Sequence, residues 1–166
     1  MNRYFLKTVP VVLIAVFLFL GFKSEPVKTS SYKCMIQMTN YSGEGAYIVI
    51  SLLSPEGDYE KTLYVQGDDD EWYSDIITWW KFQVKTDVKI DAITGATING
   101  GGRAICIIQI PEDKIDAGYK IRFESAVEDQ EYYKDDVEFE LTYESVVSKV
   151  EGKGFIRYVR LIKQVD

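Results

Sequence analysis

From Tyr32 onward, apolar and polar side chains alternate along the chain with a period of two. Tyr32, Cys34, Ile36 and Met38 fall on one face, and Lys33, Met35, Gln37 and Thr39 on the other. This is the pattern of a strand with one face against a core. A second run puts Ala46, Ile48, Ile50 and Leu52 on one face and ends at Ser54-Pro55-Glu56-Gly57-Asp58. In that pentad Pro presets φ and Gly supplies a positive one, so the run turns back into Tyr59–Val65 as its hairpin partner. Further strands are predicted over Arg103–Ile110, Tyr119–Val127, Val137–Glu144 and Phe155–Ile162. The cleanest sets Val137, Phe139, Leu141 and Tyr143 against Glu138, Glu140, Thr142 and Glu144, with one face in water. Short strands separated by turn signals predict a mainly β fold, an antiparallel β-sandwich of immunoglobulin-like type.

Two segments depart from period two. Asp68-Asp69-Asp70-Glu71 precedes Trp72, Ile76, Trp79 and Trp80 at i, i+4, i+7 and i+8, which is one stripe of a short helix. Acids before a helix suit its unpaired N–H groups and its dipole. The indoles either close one end of the sandwich or lie against a planar ligand, with Trp79 and Trp80 as the stacking candidates. The acidic run lacks the spaced oxygens and Gly of a calcium loop, and as a glycosidase pair it reads better as a solvated cap.

The second departure is at the N-terminus. Arg3 and Lys7 precede an apolar run over Val9–Phe22. A basic flank followed by a run of this length is the pattern of an export signal, short for a membrane span. Residues 1–23 are expected to be a signal peptide or an uncleaved signal anchor, with membrane anchoring through residues 9–22 in the second case. Residues 24–31 read as a linker and 32–166 as one β-sandwich domain. Both readings put the domain in the periplasm or cell envelope.

Composition narrows the chemistry. Of 166 residues, 19 are Lys or Arg, 26 are Asp or Glu and none is His, giving a net charge of −7. Such a surface repels phosphate backbones, so no nucleic-acid partner is expected. Without histidine there is no Ser-His-Asp or Cys-His catalysis and no His-ligated zinc or haem, and no metal site is expected. Export permits a disulfide, and Cys34 and Cys106 are the two candidates. Both also suit small buried apolar positions within strands.

The most informative stretch is Asp91-Ala92-Ile93-Thr94-Gly95-Ala96-Thr97, leading into Ile98-Asn99-Gly100-Gly101-Gly102. It is a small-residue loop between extended segments, with hydroxyls, a carboxylate and a mobile exit. It lacks the Lys and following helix of a phosphate loop.

Asp-x-x-Thr-Gly-Ala-Thr resembles the flavinylation motif of FMN-carrying subunits of the sodium-pumping quinone reductase and the Rnf complex. In those proteins an extracytoplasmic ApbE-type flavin transferase joins FMN, taken from FAD, to the last hydroxyl as a phosphoester. The resemblance implies Thr97 as the acceptor, Thr94, Gly95 and Ala96 as the recognition core, and Asp91 as the upstream acid. The wider chain, through Met38-Thr39-Asn40-Tyr41, Trp79-Trp80 and the same loop, resembles the domain of unknown function 2271 family of predicted periplasmic proteins.

The expected function is therefore an exported flavoprotein with covalent FMN on Thr97. It would relay electrons with a membrane-bound reductase or another electron-transfer protein and would have no catalytic residues of its own. The glycines at 100–102 are expected to let the flavin swing between partners. The alternative is a cofactor-free immunoglobulin-like binding or adhesion module of the cell envelope.

Overall fold

The computed structural model describes residues 27–86, 88, 90 and 94–164. The signal or anchor segment at 1–23 and Asp91 lie outside the described residues. Among the described residues nine strands form two sheets: β1 (Thr29–Met38), β2 (Tyr47–Leu53), β3 (Tyr59–Gln66), β4 (Thr94–Gly95), β5 (Arg103–Pro111), β6 (Lys120–Ala126), β7 (Tyr132–Glu140), β8 (Lys149–Glu151) and β9 (Ile156–Lys163). One sheet has the order β5-β1-β9-β8 and the other β4-β3-β2-β6-β7. All pairings are antiparallel except β3 with β4. The chain is thus a mainly β, two-sheet sandwich.

The alternation of β1 appears as expected, with Tyr32, Cys34, Ile36 and Met38 buried and the intervening residues partly open. These side chains meet Ile48, Ile50, Leu52, Ile121 and Phe123 from the other sheet in the main core. The β2 strand differs from its expected two-faced pattern, because Val49, Ser51 and Leu53 are buried as well. Its outer face is covered by helix α1 (Ile77–Thr86), which builds a second core of Val49, Val65, Tyr73, Ile76, Trp79 and Ala126.

The tryptophan stripe is two helices rather than one. Asp70–Asp75 is a 3-10 turn whose N-cap, Asp69, accepts from the Glu71 N–H at 3.1 Å. Ile76, at φ −85° and ψ 67°, breaks the chain before α1. The helix lies on the outer face of the five-stranded sheet and does not close an end of the sandwich. Trp79 is 0% exposed and its indole N–H donates to Thr62 Oγ1 at 2.9 Å.

Two element boundaries move. β1 begins at Thr29, inside the expected linker, because Thr29–Ser31 pair with Gln109–Pro111 and Ser30 Oγ donates to Glu112 at 2.6 Å. β7 starts at Tyr132 and stops at Glu140. Beyond it Thr142 and Ser145 exchange side-chain-to-backbone hydrogen bonds of 2.9 and 3.0 Å, and this local turn leaves Tyr143 63% exposed.

Candidate functional site: the loop that presents Thr97

The segment Thr94–Gly102 is strapped down along most of its length. Thr94 and Gly95 form the edge strand β4, parallel to Val65–Gln66 of β3. The Gly95 carbonyl accepts from the Gly67 N–H, and the Ala96 carbonyl accepts from the buried Gln66 side-chain amide. One residue past Thr97, Ile98 is buried and bridges to Ala46, with N–H to carbonyl distances of 2.8 and 3.1 Å. The Tyr41 hydroxyl donates to the Ile98 carbonyl and accepts from the Ala46 N–H at 2.8 Å.

Between these two anchors, Ala96 and Thr97 stand exposed. The Thr97 hydroxyl is engaged by no described residue. It leans over Gly45, where an added methyl would overlap Oγ1. Thr94 and Gly95 are half-buried, so the loop offers its last two residues to solvent and hides its first two.

The glycine run does not form a hinge. The Gly101 N–H donates to the Thr39 carbonyl at 2.7 Å and Gly102 to Asn99 at 2.9 Å. Met38 donates to Gly102 at 3.0 Å. The Gln37 amide spans the Gly101 and Gly102 carbonyls, each at 3.0 Å. A Cβ on Gly100 would collide with the Tyr41 carbonyl, and Gly101 has φ +72°. These glycines permit close packing and a left-handed turn, which corrects the expectation of a mobile exit.

Thr97 also lines a cleft of about 150 Å³ together with Tyr47, Trp72, Ala126 and Val127 and the carboxylates Glu44, Asp75 and Glu128. Burial raises the Tyr47 phenol above its usual range, and the carboxylates of Asp69, Asp68, Glu128 and Asp75 raise it further. With three carboxylates and no Lys or Arg in its lining, the cleft is acidic. Tyr47, Trp72 and Gly45 come from separate segments that no single motif joins, so nothing in the sequence groups them. Of the stacking candidates, Trp79 is sealed in the core and Trp80 packs against Tyr73 and Trp79. Neither lines this cleft.

A larger groove of about 300 Å³ runs between β3, the end of α1 and β5, past Thr62, Leu63, Phe82 and Ile107. Among the described residues no cluster of Cys, Asp and Glu could hold a metal ion, and no helix is long and apolar enough to cross a membrane.

Comparison with curated proteins and with solved structures finds no match. A family model does match, over residues 29–158. That span takes in both sheets, α1 and the Thr97 loop, and on it the chain belongs to the DUF2271 family, described as predicted periplasmic proteins, an extracytoplasmic assignment.

Proposed function

We propose that the protein is an exported carrier of FMN, held covalently on Thr97, that relays electrons in an extracytoplasmic or membrane redox chain. The observation that carries this reading is the exposure of Thr97 between two fixed anchors, at the acceptor position of an Asp-x-x-Thr-Gly-Ala-Thr sequence. A transferase must bring the Thr97 hydroxyl to the diphosphate of FAD inside its own active site. Gly95 and Ala96 leave that approach clear.

The step balances as a phosphoryl-ester exchange. Thr97 Oγ bonds to the flavin-side phosphorus, the diphosphate P–O bond breaks, AMP leaves, and the threonine proton passes to a base on the transferase. Threonine is a weak nucleophile at neutral pH, so activation belongs to the transferase and its metal. Once attached, FMN supplies the redox chemistry, and this chain supplies tether, orientation and electrostatics.

A second reading, a cofactor-free binding module, is favoured by one feature. Ile105, Ile107 and Ile162 are 55, 49 and 44% exposed on the four-stranded sheet, with Lys33 between the last two, apolar area open to a protein partner. One experiment separates the two readings: intact mass and in-gel fluorescence after co-expression with an ApbE-type transferase, with Thr97→Ala as control. A gain of one FMN less water, absent in the control, is the expected result. Unmodified mass in both samples would hand the function to the binding module.

A further inference from the structure

Strand register lays out the outward face of the four-stranded sheet row by row. Ile107, Lys33 and Ile162 stand side by side across β5, β1 and β9. The next row is Ile105, Met35, Arg160 and Lys149, and the last is Arg103, Gln37, Tyr158 and Glu151. Their chain neighbours Cys34, Ile36, Cys106 and Val159 sit in the main core, so these rows point away from it. On a chain of net charge −7, the three rows hold the cations Lys33, Arg160, Lys149 and Arg103 against one acid, Glu151. Lys149 pairs with Glu151 at 3.1 Å, and Arg103 donates to the Gln37 side chain at 2.9 Å. Lys33 and Arg160 have no carboxylate partner among the described residues. The acids Asp70, Glu71 and Asp75 lie instead in the 3-10 turn before α1, the helix that covers the other sheet.

We propose that this face rests on a bilayer surface bearing anionic lipid headgroups. Ile105, Ile107 and Ile162 enter the interface, and Lys33 and Arg160 extend to the headgroup phosphates. Interfacial binding adds buried apolar area to attraction between cations and anionic lipid, and this face supplies both in alternation. Long basic side chains suit that mixture, because the stem lies along apolar surface while the charge reaches the polar layer. A protein partner fits less well: lysine is depleted from the centres of protein interfaces, and here Lys33 stands between two exposed isoleucines. Chain length agrees. Six residues separate the end of the apolar run at Phe22 from the start of β1 at Thr29, a reach of at most about 25 Å. A run left in the bilayer therefore keeps this sheet, to which β1 belongs, close to the surface. Thr97 stands in none of the three rows, so the inference is independent of flavin attachment.

The test uses the full chain as cells export it, with intact mass recording whether residues 1–23 are retained. A nitrobenzoxadiazole probe, which brightens and shifts to the blue on leaving water, is attached to Ile105→Cys. The same probe on Ile77→Cys, 50% exposed on α1, is the control for the opposite side. Cys34 and Cys106 are buried, and the unsubstituted chain serves as the labelling blank. Each sample meets vesicles of phosphatidylcholine alone or mixed with phosphatidylglycerol. The Ile105 probe should brighten several-fold on the anionic vesicles, little on the neutral ones, and lose the gain at high salt. The Ile77 probe should stay unchanged on both, whether or not an anchor tethers the chain. Lys33→Gln combined with Arg160→Gln should remove most of the gain at an unchanged urea midpoint. Equal gains at Ile105 and Ile77, equal gains on both vesicles, or no gain at Ile105 would each overturn the proposal. A full gain in the folded double variant would do the same. A probe silent on lipid vesicles that brightens on protein-bearing envelope membranes would overturn it in favour of a protein partner. The comparison of Ile105 with Ile77 decides the matter even where the double variant fails to fold.

Discussion

At the scale of single residues, the glycines around Thr97 make different predictions. Gly45 lies beneath the Thr97 side chain, and a methyl there would drive Oγ1 from its present position. Gly45→Ala should therefore slow flavin attachment by roughly tenfold or more, since a displaced nucleophile loses the advantage of orientation, while the fold tolerates it at about 1–3 kcal/mol. Gly100 has no such link to the hydroxyl. Its Cβ would meet the Tyr41 main chain, so Gly100→Ala should lower the melting temperature, and attachment to the fraction that folds should stay near normal. Time courses of added mass beside thermal melts distinguish the two, and equal loss of attachment in both variants would contradict this assignment. Thr97→Ser, which keeps the hydroxyl, should still be modified. The exposed position of Thr97 falls where a short motif in the sequence singles it out. Nothing in the sequence singles out Gly45, because its place beneath Thr97 is a contact across more than fifty residues of chain.

The strands and helices divide in the same way. Alternation on β1 was readable because its outer side stays partly open. The burial of Val49, Ser51 and Leu53 was not, because it depends on α1 lying across β2. The tryptophan spacing alone fits one helix, and the break at Ile76 is what turns Trp79 into the core and leaves Trp72 at the cleft. The two cysteines show how far register goes beyond composition. Cys34 and Cys106 are direct cross-strand partners, and both are buried free thiols. In the same ladder the Met38 N–H donates to the Gly102 carbonyl and the Glu112 N–H to the Lys28 carbonyl. Counting by twos from either end makes Cys34–Cys106 a hydrogen-bonded pair. Cβ atoms in such pairs stand about 5.5 Å apart, beyond the roughly 3.5–4.5 Å that a disulfide wants. A hydrogen bond with the neighbouring Cys106 thiol, and next burial, push the Cys34 thiol well above its usual range, which withholds the reactive thiolate. Even when made in an oxidising compartment, the chain should show two free thiols on alkylation in denaturant. A mass two hydrogens lighter with no labelling would refute this.

At the scale of the whole molecule, the second core has a charge buried in its floor. Glu124 is 0% exposed and accepts from the hydroxyls of Tyr59 and Tyr132, with Arg122 joining Tyr59 to Glu138. Burial raises the Glu124 carboxyl, and the two tyrosines, Arg122 and Lys134 offset part of that. Both phenols are in turn raised above 10, first by burial and next by donating to Glu124. The sign follows from linkage. Above pH 10 the unfolded chain ionises these tyrosines while the folded chain keeps them protonated, so the folded state binds more protons and stability falls as pH rises. Their contribution is complete below pH 10 and is lost progressively above it. Urea midpoints should therefore hold steady from neutral pH to about pH 9 and then fall. Tyr132→Phe should flatten part of that alkaline limb and cost about 1–3 kcal/mol at neutral pH by removing a donor from a buried carboxylate. Because the network ties β3, β6 and β7 together beneath α1, unfolding should also be a single transition that carries the Thr97 loop with it. Flavin emission and far-ultraviolet dichroism followed together through the alkaline transition should coincide. Release of the flavin signal well before the sheets melt would show that the loop and its cleft are stabilised independently of this buried charge.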